Sequence, residues 1–317
     1  MSKAFDSVGM IPLRHALSRI RLPPLAIDFI INLFQHRKMK VITKFGLSDE
    51  IQAQDGIDQG EVISPLIWRI FYDPLLCRIM DDASLGYTMS VKWPTDLYGN
   101  NITYQARISA LAFFDDTSWL GRSKASLTRT IDISNEFFIL NDIKINGSKS
   151  ELIVINGDLA DKPRDGITMG SDNTLVFPSP NHKPVHYLGV WFTLSLSRRQ
   201  QEKIVQKEIK SITSVIRTKR LTVEQIIYIN NKVLIPRLEY RLCITMLSIL
   251  TARKLYLPVT KIAKQLSGIP GSAKINILVH PGMIGFITLE MNQLTHHFTE
   301  FVIRINENDL ASQTTMI

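Results

Sequence analysis

Two adjacent carboxylates, Asp115 and Asp116, are the residues of this sequence best suited to chemistry. An apolar run of strand length, Ile108 to Phe114, ends abruptly in them, and a second short run leaves them toward Leu120. That pattern predicts a β-hairpin with acid at its tip. Side by side the two charges repel, and a cation between them relieves the repulsion. Hard divalent cations take carboxylate oxygens, which makes Mg²⁺ the natural guest. A pair of such ions can clamp the attacking and the leaving oxygen of a phosphoryl transfer. Asp-Asp is also ordinary turn chemistry, so on these residues alone both readings stand.

The flanking chain must hold that hairpin in place. Pro12 suits the first turn of a helix reaching about Ile20, Pro23-Pro24 break it, and a second helix runs from Leu25 to His36. Ile27, Ile30, Ile31 and Phe34 fall at helical spacing and read as core. Lys38 to Phe45 alternates basic and apolar residues, predicting a strand, a turn over Gly46 to Asp49, and a return over Glu50 to Ala53. Asp55 to Glu61 is a loop of turn residues. Ser64-Pro65 then predicts a helix start, with serine as cap, for a mostly apolar helix from Leu66 to Met80. A strand pair is expected over 85 to 107, with turn signals at Pro94 and Gly99-Asn100-Asn101. Ser123 caps a helix through Leu140, Glu151 to Ile155 reads as a short strand, and Gly157 to Asn173 as a surface loop. His186 to Phe192 reads as a strand with an internal glycine, a sign of close backbone approach.

From about Ser195 the character turns helical and basic. Between Arg198 and Arg220 stand eight Lys or Arg against two Glu, a local net of +6 in a chain whose total is +8. Val205, Ile209, Ile212 and Ile216 form one stripe, with Lys203, Lys207, Lys210 and Arg217 on roughly the opposite face. Such a face is either solvated surface or a stripe that tracks phosphates. Thr222 with Gln225 has the spacing of a capping box, and Pro236 interrupts or kinks the helix that this box starts.

Composition narrows the class. With 45% apolar and 21% charged residues over 317 positions, the chain can bury a sizeable core and hold two domains. A pI near 9.4 suits a polyanionic partner. Cys77 and Cys243 lie in no metal-binding spacing and are expected to form no disulfide. No apolar run reaches membrane-span length and no signal-peptide core is seen, so an intracellular location in cytoplasm or nucleus is expected.

Four short motifs now fall in order: Lys3-Ala4-Phe5-Asp6; Gln59-Gly60 with Ser64-Pro65-Leu66; Phe113-Phe114-Asp115-Asp116; and Tyr187-Leu188-Gly189-Val190. Their order and spacing resemble the reverse transcriptases, and among them the non-LTR (LINE-like) retrotransposon kind. The resemblance spans residues 1 to about 192. It implies an α+β polymerase palm, an antiparallel sheet backed by helices with remnant fingers, over 1–195. A helical thumb and C-terminal region would follow over 196–317. It implies an RNA template, a DNA primer, deoxynucleoside triphosphates and two Mg²⁺ ions.

Residue by residue, Asp115 and Asp116 match the family's metal-holding pair. Phe5 matches the bulky residue under the incoming sugar that excludes a 2′-hydroxyl. Gln59 and Gly60 match the loop against incoming nucleotide and template. Lys149, in Ser148-Lys149-Ser150-Glu151, matches a lysine that assists the pyrophosphate leaving group. Leu188-Gly189 match the turn that grips the primer end. The sequence departs from the pattern twice. The family's first motif opens with an aspartate at the position just before Met1, so a third metal ligand lies outside this chain. The expectation is that Met1 is an internal methionine of a longer or broken reading frame, and that this chain is inactive or nearly so. Phe114 stands where the family has a small or flexible residue and would crowd the primer end. The non-catalytic alternative is a relic that binds RNA or an RNA–DNA hybrid. A group II intron or retron enzyme is the other enzyme class, but no maturase-like extension favours it.

Overall fold

The computed structural model describes residues 4–35, 37–53, 55–93, 102–155, 166–170, 172–180, 183–195 and 197–307. The chain divides into two compact units, Met1–Ser179 and Pro180–Met316. Helices combine with small antiparallel sheets, so the class is α+β.

In the first unit a 3-10 turn at Phe5–Ser7 precedes α1 (Met10–Arg19) and α2 (Pro24–Phe34). Four short strands follow: β1 (Arg37–Met39), β2 (Ile42–Thr43), β3 (Gly46–Leu47) and β4 (Ile51–Ala53). Then come α3 (Ser64–Asp81), β5 (Tyr87–Trp93), β6 (Ile102–Ile108), β7 (Ala110–Phe113), β8 (Asp116–Trp119) and α4 (Lys124–Leu140). A 3-10 turn at Gly147–Lys149 leads to β9 (Ile167–Met169) and β10 (Thr174–Val176). Among the described residues every sheet is a two-stranded antiparallel pair: β1 with β4, β2 with β3, β5 with β6, β7 with β8, β9 with β10. Such pairs are marginal alone and need a helix to pack on.

That helix is α3. Ile67, Trp68, Phe71, Tyr72, Leu75 and Ile79 are all buried along it, and they meet Leu13 and Leu17 of α1, Ile27, Ile31 and Phe34 of α2, and Phe138 of α4 in one core. Each such aliphatic or Phe side chain contributes about 1.5–3 kcal/mol on burial.

In the second unit β11 (Val185–Tyr187) pairs antiparallel with β12 (Val190–Phe192). The helices α5 (Arg199–Arg217), α6 (Val223–Tyr228), α7 (Ile235–Ile244), α8 (Ile249–Leu266), α9 (Asn276–Val279) and α10 (Leu289–Asn306) follow. Their core gathers Val205, Ile209, Leu238, Tyr256, Phe286 and Leu289. The capping box forms as spaced: Gln225 N–H donates to Thr222 Oγ1 at 3.3 Å, and Thr222 N–H donates to Gln225 Oε1 at 3.0 Å. A π-turn, Ile229–Leu234, lies just ahead of Pro236, which withholds its N–H from the helix.

Several local expectations are corrected. The first hairpin turns at Lys44–Phe45, not Gly46–Asp49, because Gly46 (φ +123°) re-enters the pair as β3, and Thr43 Oγ1 braces the turn by donating to Gly46 O at 2.7 Å. Ser64 is the first helical residue, after Ile63, and its hydroxyl caps nothing. Glu151–Ile155 forms no strand, only an isolated bridge from Leu152 to Pro178, a residue with no backbone N–H to extend a ladder. Within the expected 157–173 loop, Ile167–Met169 is a strand, paired with Thr174–Val176 across a turn at Gly170. His186–Phe192 is a hairpin rather than one strand, because Leu188 and Gly189 both take positive φ. The turn expected at Pro94 and Gly99-Asn100-Asn101 and the helix end at His36 lie outside the described residues.

Candidate active site

The acidic hairpin forms in the register the sequence demands: Ala110 opposite Trp119, Leu111 opposite Ser118, Ala112 opposite Thr117, Phe113 opposite Asp116. Its loop is two residues, Phe114 and Asp115. Phe114 sits at φ +53° and Asp115 does not share the positive sign, which is the pattern of a II′ turn, where glycine is favoured first. A side chain in the left-handed region costs about 1–2 kcal/mol. Phe114 is 40% exposed and lies edge-on to Phe113, ring centroids 4.7 Å apart. Two contacts from α3 hold the strained loop. Trp68 Nε1–H donates to the Phe114 carbonyl at 2.9 Å, and Tyr72 Oη shares a hydrogen bond with Thr117 Oγ1 at 3.2 Å. Burial pushes the Tyr72 phenol well above its usual range, only partly offset by that bond, so it stays protonated.

Asp116 is exposed and Asp115 half-buried. Among the described residues neither carboxylate takes a hydrogen bond or ion pair from another side chain. Their oxygens suit a hard divalent cation. Among the described residues no group of three or more His, Cys, Asp or Glu gathers where a metal ion could sit.

The first-motif segment lies against the same helix. The Phe5 ring is half-buried, 5.7 Å from Trp68. Its carbonyl accepts from Ile57 N–H at 2.9 Å, while Val8 O accepts from Gly56 N–H at 2.9 Å. Gly56 takes φ +90°, and a Cβ there would stand 3.1 Å from the Asp6 backbone, so only glycine fits. Arg37 closes the loop: Nη2–H donates to Gly56 O at 2.7 Å, Nε–H donates to Phe34 O at 2.9 Å, and its guanidinium pairs with Asp58. From this clamp the loop passes through exposed Gln59 and Gly60 (φ +99°) into α3. Phe5, the 56–60 loop and the acidic hairpin thus share one scaffold.

The remaining candidates lie on other elements of the chain. Lys149 is exposed on its 3-10 turn, where Gly147 packs against Thr174, and among the described residues no hydrogen bond or ion pair joins its side chain to the aspartates. Leu188 and Gly189 form the β11–β12 turn in the second unit. Lys203, Lys207, Lys210 and Arg217 are all exposed on α5, opposite buried Gln201, Val205, Ile209, Thr213 and Ile216, and none is ion-paired among the described residues. The sequence reading missed Arg37, Trp68 and Tyr72. Trp68 and Tyr72 stand four apart in the mostly apolar helix directly after the Ser-Pro start, and that i, i+4 pairing was the available signal.

The profile of the family described as reverse transcriptase (RNA-dependent DNA polymerase) matches residues 1–192, and the chain belongs to that family. Its relatives narrow the placement to reverse transcriptases of non-LTR retrotransposons. One is a retrovirus-related Pol polyprotein from type-1 retrotransposable element R2 of Popillia japonica, 24% identical over 243 residues, covering 76% of this chain and 32% of that protein. Another is the Pol polyprotein from type-2 retrotransposable element R2DM of Drosophila melanogaster, 23% identical over 261 residues, covering 80% of this chain and 22% of that protein. The chain spans about a third or less of the length of these two relatives.

Proposed function

We propose that residues 1–317 form the palm, with remnant fingers, over 1–195 and a thumb over 196–317, within a larger protein that extends a DNA primer along an RNA template. The acidic hairpin carries this reading: two adjacent carboxylates at a braced turn, committed to no internal partner among the described residues. Asp115 and Asp116 would hold two Mg²⁺ ions, which when bound neutralise charge on the transferred nucleotide. Phe5 would bound the sugar site, Gln59 and Gly60 would line the incoming nucleotide, Leu188-Gly189 would grip the primer end, and Lys149 would approach the leaving group. The substrates would be deoxynucleoside triphosphates, in cytoplasm or nucleus. Among the described residues no helix is long and apolar enough to cross a membrane.

With two acidic ligands, residues 1–317 alone are proposed to be nearly inactive. Removing one preorganised electrostatic group from a transition state costs about 10²–10³-fold in rate. Primer extension tests this on the 317-residue chain and on a longer chain carrying an aspartate upstream of Met1. The longer chain should be faster by about that factor and should lose activity on Asp115→Asn. Equal rates would remove the missing-ligand explanation; a longer chain with no Asp115-dependent product would remove the polymerase reading.

The four exposed basic residues of α5, unpaired among the described residues, favour a second reading, RNA or RNA–DNA hybrid binding without chemistry. Its mark is salt-sensitive binding that survives Asp115→Ala. An unchanged salt slope after neutralising Lys203, Lys207 and Lys210 would sink it.

A further inference from the structure

We infer that Trp68 and Tyr72 are positioning residues for the acidic pair, gripping the hairpin at two points from successive turns of α3. This rests on the reading of Asp115 and Asp116 as a cation site. Trp68 is 1% exposed and Tyr72 2%. Their rings stack 5.5 Å apart at 17°, so the two side chains form one rigid block. The block donates from Trp68 Nε1 to the carbonyl of Phe114, the residue immediately before Asp115. It meets Thr117 Oγ1, the residue immediately after Asp116, through Tyr72 Oη. The two carboxylates therefore sit between two fixed points, each one residue away.

The turn needs such a grip. Phe114 holds a left-handed conformation that its side chain opposes, and among the described residues no third strand joins the hairpin. The Phe114 carbonyl is satisfied by the indole N–H and not by the strand ladder. Trp68 also carries Phe5 on its other side, ring centroids 5.7 Å apart. One indole thus fixes the spacing between the sugar-site wall and the acid turn. The tryptophan at this helix position adds an N–H to the ring it buries; phenylalanine would keep a smaller ring in the core and leave the Phe114 carbonyl without that partner.

The test uses the 317-residue chain with Mn²⁺ as probe, followed by electron paramagnetic resonance, and amide hydrogen exchange over residues 110–119. Trp68→Phe and Tyr72→Phe keep a ring in the core and delete one donor each; Thr117→Val removes the second grip without touching the core. Groups that orient metal ligands are worth about 10–100-fold in affinity, so Trp68→Phe should weaken Mn²⁺ binding about tenfold. Tyr72→Phe and Thr117→Val should weaken it by less and by equal amounts, with no further loss in the double variant. In all three, exchange over 110–119 should quicken while that over 185–192 stays unchanged. Unaltered exchange at the hairpin and unaltered Mn²⁺ affinity in Trp68→Phe would overturn the assignment. Absence of Mn²⁺ binding by the parent chain, or binding that survives Asp115→Asn with Asp116→Asn, would instead strike the cation-site reading. The exchange measurement would then still decide whether α3 positions the turn.

Discussion

Two hairpins in this chain solve the same mechanical problem with different materials. The β7–β8 hairpin turns through Phe114 and Asp115; the β11–β12 hairpin turns through Leu188 and Gly189. Each puts a bulky residue first at positive φ, +53° for Phe114 and +45° for Leu188. Each anchors that residue's carbonyl with an aromatic side chain from a helix: Trp68 at 2.9 Å, Tyr240 at 2.5 Å. The first anchor is buried in the core, whereas Tyr240 is 54% exposed. The second loop residue also differs. Gly189 takes φ +79°, completing a I′ pattern, while Asp115 keeps the carboxylate that a glycine would forfeit. The acid turn surrenders favourable loop chemistry and is held by the core; the second turn keeps the glycine and needs only a surface tether.

The largest effect should come from cutting the buried anchor down entirely. Trp68→Ala removes a side chain that touches Phe5, Phe71 and Tyr72, and should cost about 3–5 kcal/mol in urea unfolding. A loss under about 1 kcal/mol would mean that α3 is not the spine of the first unit. Next is Gly189→Ala. Its φ of +79° opposes a Cβ, and that Cβ would meet Tyr240 Cε1 at 3.2 Å. A cost of about 1–2 kcal/mol is expected by the same method, with the first unit's signals unmoved.

The buried phenol gives the comparison a pH axis. Burial raises the Tyr72 pKa above its unfolded value, so its contribution is complete below about pH 10 and is lost as pH climbs toward the folded value. Unfolding monitored at rising alkaline pH should show stability of the first unit falling above about pH 10, and Tyr72→Phe should flatten that fall. Tyr256, also buried and raised, imposes the same alkaline loss on the second unit and serves as an internal control.

Much of this was legible in the chain itself. The acid hairpin and the Ser123-capped helix came from local alternation and capping, which act over a few residues. The capping box at Thr222 was readable for the same reason. Turn placement failed where glycine position misled: Gly46 extends a pair that turns at Lys44–Phe45, and Gly189 closes a loop that looked like one strand. Arg37 was invisible because its partners, Gly56 and Asp58, lie some twenty residues away and are brought near only by folding. Trp68 was one residue of a helix legible only as mostly apolar. Its burial is indeed core burial, and only the placement of the Phe114 carbonyl turns the same indole into an anchor.

The smallest effect should also be the sharpest test of how the two turns differ. Leu188→Asn places asparagine before Gly189, the favoured pair for a I′ loop, and asparagine tolerates the left-handed region that leucine resists. The exposed Tyr240 tether to the Leu188 carbonyl does not depend on the side chain replaced. Stability of the second unit should therefore rise by about 0.5–1 kcal/mol, and the gain should persist in Tyr240→Phe, since it comes from the loop and not from the tether. The matching change at the acid turn, Phe114→Asn, should gain less, because there a II′ loop wants glycine first and the Trp68 bond already holds the carbonyl in place. Equal gains at both turns would mean that the anchors are interchangeable and that burial of Trp68 adds nothing to the acid hairpin.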